Sequence, residues 1–225
     1  MTQDTPAIPS LDPPRATPVP ASLADAVRRA SDIVVASLGL LALWPIMAII
    51  ALVIRIGTPG PAIFRQTRLG RDARPFTFLK FRTLYADARE RFPELYAYQF
   101  TAEDLEKRSF KVPDDPRVTP QGRWLRKTSL DELPNLWNVL RGDMTLVGPR
   151  PEIPEMLRYY TGDMAEVFRV RPGVTGAAQV FGRADLSIAE SIRIDVAYLR
   201  RRTLWTDLGI IARTFLVVFR REGAF

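Results

Sequence analysis

The sequence predicts an α+β chain, mainly helical, built from a re-entrant membrane helix–break–helix, a small β-hairpin and a compact helical domain. Three observations predict it. Residues 33–54 run IVVASLGLLALWPIMAIIALVI without a charge. Segments 62–68 and 75–81 flank a short polar turn around Gly70. Apolar residues then recur at helical spacing in 133–140 and again in 204–221. The boundaries that follow are a tail over 1–22, a membrane segment over 23–57 and a domain over 58–225.

The tail carries Pro6, Pro9, Pro13, Pro14, Pro18 and Pro20 with few large apolar residues, a composition that does not build a core. The uncharged run would make roughly 33 Å of helix, enough to cross a bilayer core. It starts late and lacks a small-residue cleavage site before Arg55, so a signal peptide fits poorly. Pro45 sits in its middle, where a missing N–H and a steric clash cost a straight helix ~3 kcal/mol. Both flanks are basic, Arg28 and Arg29 before, and Arg55, Arg65, Arg68 and Arg71 after. A crossing helix is better served by basic residues on one side only. The sequence therefore favours a helix broken at Pro45 that enters and leaves by one leaflet. Its cost is the backbone carbonyls freed near the break, and a single crossing is the alternative.

Gly57-Thr-Pro-Gly-Pro61 ends the membrane segment. In PFTFLKF, Phe76, Phe78 and Lys80 alternate with Thr77, Leu79 and Phe81, the period of a strand. Residues 84–112 read as helical and highly charged, with Thr101 as a cap. The stretch 204–221 carries Arg213, Arg220 and Arg221 along an apolar helix, which suits either a membrane interface or a core-packing helix.

Composition narrows the chemistry. The chain has no cysteine and no histidine, which excludes Ser–His and Cys–His catalysis, thiolate metal sites and imidazole ligands. Carboxylates, Lys, Arg, hydroxyls and a hard cation such as Mg2+ remain. A net charge of +7, mostly from arginine, implies an anionic partner: nucleic acid, an anionic membrane or a phosphorylated substrate. In TSLDELPNLWNVL, Leu133, Leu136, Trp137 and Leu140 share one helical face. Pro134 is tolerated only in a first turn, so Asp131 fits as N-cap better than Ser129. Judged locally, Asp131 is more readily a cap than a nucleophile. The same position nevertheless keeps a carboxylate ionised and draws phosphate. Arg126 and Lys127 could neutralise developing charge, and Glu132 could hold Mg2+. Downstream, Gly148-Pro-Arg-Pro151 fixes Arg150 between prolines, and RPGVTGAAQ (171–179) offers backbone N–H groups to a phosphate.

Together these segments resemble the bacterial sugar transferase family, the small monotopic phosphoglycosyl transferases that start glycan assembly on polyprenyl phosphate. The resemblance runs through GPAIFRQTRLGRDARPFTFLKFRT, DDPRVTPQGRWLRKTSLDELPNLWNVLRGDMTLVGPRPE and RPGVTGAAQVFGR, in that order. It implies a ping-pong transfer of a sugar-1-phosphate from a UDP-sugar, through a phosphosugar–aspartyl intermediate on Asp131. Glu132, beside Asp131, is associated with Mg2+. The resemblance places substrate contacts at Lys80, Arg126, Arg150 and Arg183 and acidic site positions at Asp195 and Asp207. It further implies a re-entrant helix around Pro45 and a cytoplasmic catalytic domain on the bacterial inner membrane. Trp44 precedes the proline where relatives often carry a small or polar residue, and residues 86–112 exceed what the shortest relatives need.

The expected partners are a UDP-sugar, a polyprenyl phosphate and the lipid bilayer, with no nucleic acid; homodimerisation is left open. The alternative is a membrane-tethered basic binding module without catalysis. Against it, the arginines are spread through Pro-Gly loops rather than grouped with base-stacking aromatics.

Overall fold

A computed structural model describes residues 22–109, 112, 114–182 and 186–220. The tail over 1–21, Arg183 and Arg221 lie outside them. Helix α1 spans Leu23–Gly57 and starts at a capping box, in which the Ser22 hydroxyl accepts from the Asp25 N–H and Asp25 accepts from the Ser22 N–H. The segment is not divided into two helices: α1 runs as one helix with Pro45 inside it. Packing on both sides offsets the local cost of the proline. Before it, Ala36 is buried with Phe78, Val139 and Met144; after it, Met47, Ile50 and Ile54 pack with Phe81 and Leu125. These residues share one helical stripe, and Leu38, Leu41, Trp44, Ile49, Leu52 and Ile56 stay exposed on the other. By length and composition α1 is able to cross a membrane.

Both ends of α1 are fastened to the same body. Near its start, Arg29 donates to the carbonyls of Val139 and Leu140 (2.6 and 2.9 Å), Asp32 accepts from the Leu146 N–H (2.9 Å), and Arg28 donates to Asp207 (2.7 Å). Just past its end, Arg82 donates to the carbonyls of Thr58 (2.9 Å) and Pro59.

The hairpin forms as its alternation predicts. Strands β1 (Ile63–Leu69) and β2 (Pro75–Phe81) pair antiparallel, with Phe64 opposite Lys80. The next stretch departs from the expectation of one charged helix. It holds only α2 (Ala88–Arg91), a 3-10 turn at Pro93–Tyr96 and α3 (Ala102–Lys107), which Thr101 does cap. Pro93 cannot continue α2, and Tyr98 sits at a positive φ of 45°, so no long helix can run through. Then follow α4 (Pro120–Thr128), a 3-10 turn at Leu130–Glu132, and α5 (Asn135–Arg141), which ends at Gly142 with φ 92°. Strands β3 (Thr145–Val147) and β4 (Gly173–Thr175) form a parallel pair that the sequence did not announce.

Helices α6 (Ala177–Phe181), α7 (Ile188–Arg200) and α8 (Leu204–Arg220) complete the domain. The largest core joins α7 to the hairpin end and the 154–169 turns, through Leu69, Met156, Phe168, Ile188 and Ile192. Helix α8 buries Asp207, Ile210 and Val217 and exposes Trp205, Leu208, Phe215 and Leu216. The core-packing face expected of this stretch is thus present, and the apolar residues opposite it are exposed.

Candidate active site

Three local structures bring the site together. Thr119 caps α4, its hydroxyl accepting from the Gly122 N–H at 2.9 Å, and Pro120 occupies the first turn. The chain leaves α4 through Ser129 in the left-handed region, at φ 56°. That turn aims the 3-10 segment inward, so Asp131 is 6% exposed. The expected cap is not made: neither the Ser129 nor the Asp131 side chain caps a helix, and α5 begins only after Pro134. Backbone N–H groups of Glu132 and Leu133 bond to the carbonyls of Ser129 and Leu130 instead. The Asp131 carboxylate faces Lys80, with Nζ 3.6 Å from Oδ2.

Asn138 holds these parts in register, a role that no motif or periodicity announces. The residue is fully buried. Its carboxamide accepts from the Leu79 N–H (3.1 Å) and donates to the Thr77 carbonyl (2.7 Å), pairing α5 with the free edge of β2. The apolar face expected on α5 is only partly inward. Leu133, Leu136 and Leu140 are half-buried, Trp137 is exposed, and the deepest side chains are Asn135, Asn138 and Val139.

A cavity of about 340 Å3 opens over this junction. Among the residues named from the sequence, Lys80, Arg126, Asp131, Glu132, Arg150 and Asp195 all line it. Asp207 does not; it is engaged by Arg28, Tyr198 and Arg202, at the seam between α1 and α8. Arg183 lies outside the described residues. The cavity also receives Glu152, Asp115, Arg117 and Gln179, which the sequence reading missed. Glu152 stands two residues after Arg150 in the same motif, and Asp115 and Arg117 belong to DDPR, so motif membership was the available signal.

Burial dominates the electrostatics. It lowers the Lys80 ammonium, with Asp131 pulling the other way and Arg126 and Arg150 adding to the depression. It lowers Arg126 as well, against the attraction of Asp115 and Asp131. Burial and the neighbouring Asp131 raise Glu132, while Arg150 and Lys80 oppose them. Glu152 is raised by burial, and Asp195 is pushed up to about 7. A partly dehydrated cavity that sets Lys80, Arg126 and Arg150 around the Asp131 carboxylate is suited to binding a polyanion and attacking it.

The sequence profile of the bacterial sugar transferase family matches residues 23–221. The chain is 42% identical over 179 residues to the UDP-galactose-lipid carrier transferase of Erwinia amylovora, covering 79% of this chain and 38% of that protein. It is 36% identical over 200 residues to the exopolysaccharide production protein ExoY of Rhizobium meliloti, covering 88% of each. It is also 39% identical over 216 residues to the UDP-glucose:undecaprenyl-phosphate glucose-1-phosphate transferase of Caulobacter vibrioides, covering 92% of this chain and 75% of that one. The chain thus spans well under half of the Erwinia protein and most of the other two.

Proposed function

Because the chain belongs to the bacterial sugar transferase family, we propose that it moves a sugar-1-phosphate from a UDP-sugar to undecaprenyl or a similar polyprenyl phosphate, releasing UMP. The observation that carries this reading is the Asp131 carboxylate: buried, unused as a cap, paired with Lys80 at 3.6 Å, and at the cavity with Arg126 and Arg150. An Asp131 oxygen attacks the β-phosphorus of the UDP-sugar. The bond from that phosphorus to the bridging oxygen breaks, and UMP leaves with the electron pair. A phosphate oxygen of the polyprenyl phosphate then attacks the same phosphorus, the aspartyl bond breaks, and Asp131 is restored as the lipid-linked diphosphate sugar departs. Lys80, Arg126 and Arg150 neutralise charge on the phosphoryl oxygens in both steps.

The residues present fit Mg2+. Asp131 and Glu132 are adjacent carboxylates, and the buried Oδ1 of Asn135 and Oε1 of Gln179 have no hydrogen-bond partner among the described residues. These are hard oxygen donors, and among the described residues no three acidic side chains are placed to hold a metal by themselves. Mg2+ commonly uses one or two carboxylates with substrate phosphates, and when bound supplies charge neutralisation. Glu132 and Asp131 would hold it.

For the membrane, we infer that α1 enters and leaves by one leaflet around Pro45, with the domain on the cytoplasmic face. The basic flanks and the attachment of both helix ends to one domain support this. The enzyme reading is tested with detergent-solubilised protein, a UDP-sugar and undecaprenyl phosphate. UMP should be released, and Asp131→Asn should abolish it while melting like the parent. UDP as the released nucleotide would sink the phosphosugar transfer, and turnover by Asp131→Asn would sink the nucleophile. Nucleic-acid binding without UMP release would favour the basic binding module.

A further inference from the structure

The charged segment ahead of α4 plays no part in the chemistry above, yet it reaches the cavity, which Asp115 and Arg117 line. Arg117 commits its guanidinium to this segment. Its Nε donates to Asp115 Oδ1 at 2.8 Å, its Nη2 to Asp115 Oδ2 at 2.9 Å and its Nη1 to the Leu95 carbonyl at 3.3 Å. The Tyr96 ring lies 4.9 Å from the guanidinium carbon, and the Arg117 backbone N–H also donates to Asp115, at 3.0 Å. This fork-to-fork pairing fixes the carboxylate plane. The Asp115 side chain is only 5% exposed, and its Oδ2 stands 3.9 Å from Arg126 Nη1. On its other side, Arg126 Nε donates to Thr83 Oγ1 at 3.2 Å.

The asymmetry is informative. Asp115 grips Arg117 with two short hydrogen bonds and stands at ion-pair range from Arg126. The carboxylate is thereby held still beside the Arg126 guanidinium, which lines the cavity. We propose that Asp115 is a positioning residue for Arg126, and that the 3-10 turn Pro93–Tyr96 and Arg117 form the scaffold that holds it. The extra length before α4 thereby serves the phosphate site. Asp115 itself need not touch substrate. The inference rests on the transferase reading for the identity of the anion.

A double-mutant cycle tests it, because residues that act through one another lose activity non-additively. Asp115→Asn keeps the shape and removes the charge; Arg126→Gln removes the oriented cation. The readouts are kcat/KM for UMP release and UDP affinity by calorimetry, with thermal melting as the check on folding. Each single variant should lose about 10- to 100-fold, as misplaced catalytic groups do, and the double variant should be no worse than Arg126→Gln. Losses that multiply would show that Asp115 acts independently and overturn the proposal. Tighter UDP binding by Asp115→Asn would mark Asp115 as a competing anion and overturn it too. If Asp115→Asn does not fold, Arg117→Lys, which keeps the charge but loses the fork, enters the same cycle with the same expected non-additivity. If wild-type protein binds UDP but releases no UMP, the transferase reading fails, while the UDP cycle still decides the role of Asp115.

Discussion

At the residue scale, burial gives each carboxyl a different task. Asp195 accepts from the Ala178 N–H at 3.1 Å, yet burial pushes its pKa up from 3.8 to about 7. Between those values the unfolded chain releases a proton that the folded chain keeps. The contribution to stability is therefore full below about pH 4 and is lost as the pH rises through about 7. Replacing Asp195 by Asn should flatten the pH dependence of stability in that window by one proton, roughly 1 kcal/mol per pH unit. Denaturant melts at pH 5, 6 and 7 check this; an unchanged slope would mean that Asp195 is already ionised in the fold. Such distinctions were only partly legible. Lys80, Arg126, Asp131 and Arg150 could be named from motifs, and they do meet at one cavity. That Asp131 is no cap depends on the left-handed turn at Ser129, which a serine does not advertise. Asp207 was placed among the site residues by the family resemblance alone; its pairing with Arg28, 179 positions away, spans a separation no local pattern reports.

Elements are positioned by how closely they approach, and two glycines mark the extremes. Gly122 in α4 lies against the strand exit: an added Cβ would sit 2.0 Å from the Thr83 carbonyl oxygen, which is backbone and cannot swing aside. Gly209 in α8 has nothing within 4 Å of the same position and does not need a positive φ. Gly122→Ala should thus cost about 1–3 kcal/mol or more through overpacking, and displace Arg126 one turn further along α4. Gly209→Ala should stabilise by about 0.5–1 kcal/mol through helix propensity alone. Denaturant midpoints read both, and equal effects would refute the difference in approach. The hairpin was legible at this scale because alternation over seven residues is a long signal for a strand. Strands β3 and β4 have three residues each, and parallel pairing joins Thr145 to Gly173 across the intervening chain, so periodicity had nothing to detect. Charge and capping were correctly read in 84–112, but Pro93 divides what composition made continuous.

For the whole molecule, the main question is how α1 meets the membrane, and the contacts of its two ends constrain the answer. A single crossing would carry Arg28, Arg29 and Asp32 to the opposite side from Ile50, Ile54 and the domain. It would break the Arg28–Asp207 pair, whose side chains are only 13% and 10% exposed, at a cost of ~3 kcal/mol or more for a buried ion pair left without its partner. It would also strip Arg29 from the end of α5 and Asp32 from the start of β3. Entry and exit by one leaflet keeps all of these and leaves the apolar stripe from Leu38 to Ile56 for lipid. The absence of cysteine makes the test direct. Leu23→Cys, at a position 83% exposed, reports the helix start, and Glu103→Cys reports the domain. In intact bacterial cells a membrane-impermeant maleimide should label neither, and after permeabilisation it should label both. Labelling at position 23 with position 103 protected would establish a crossing, and the packing of α1 against α5 would then have to reform after the helix had left it.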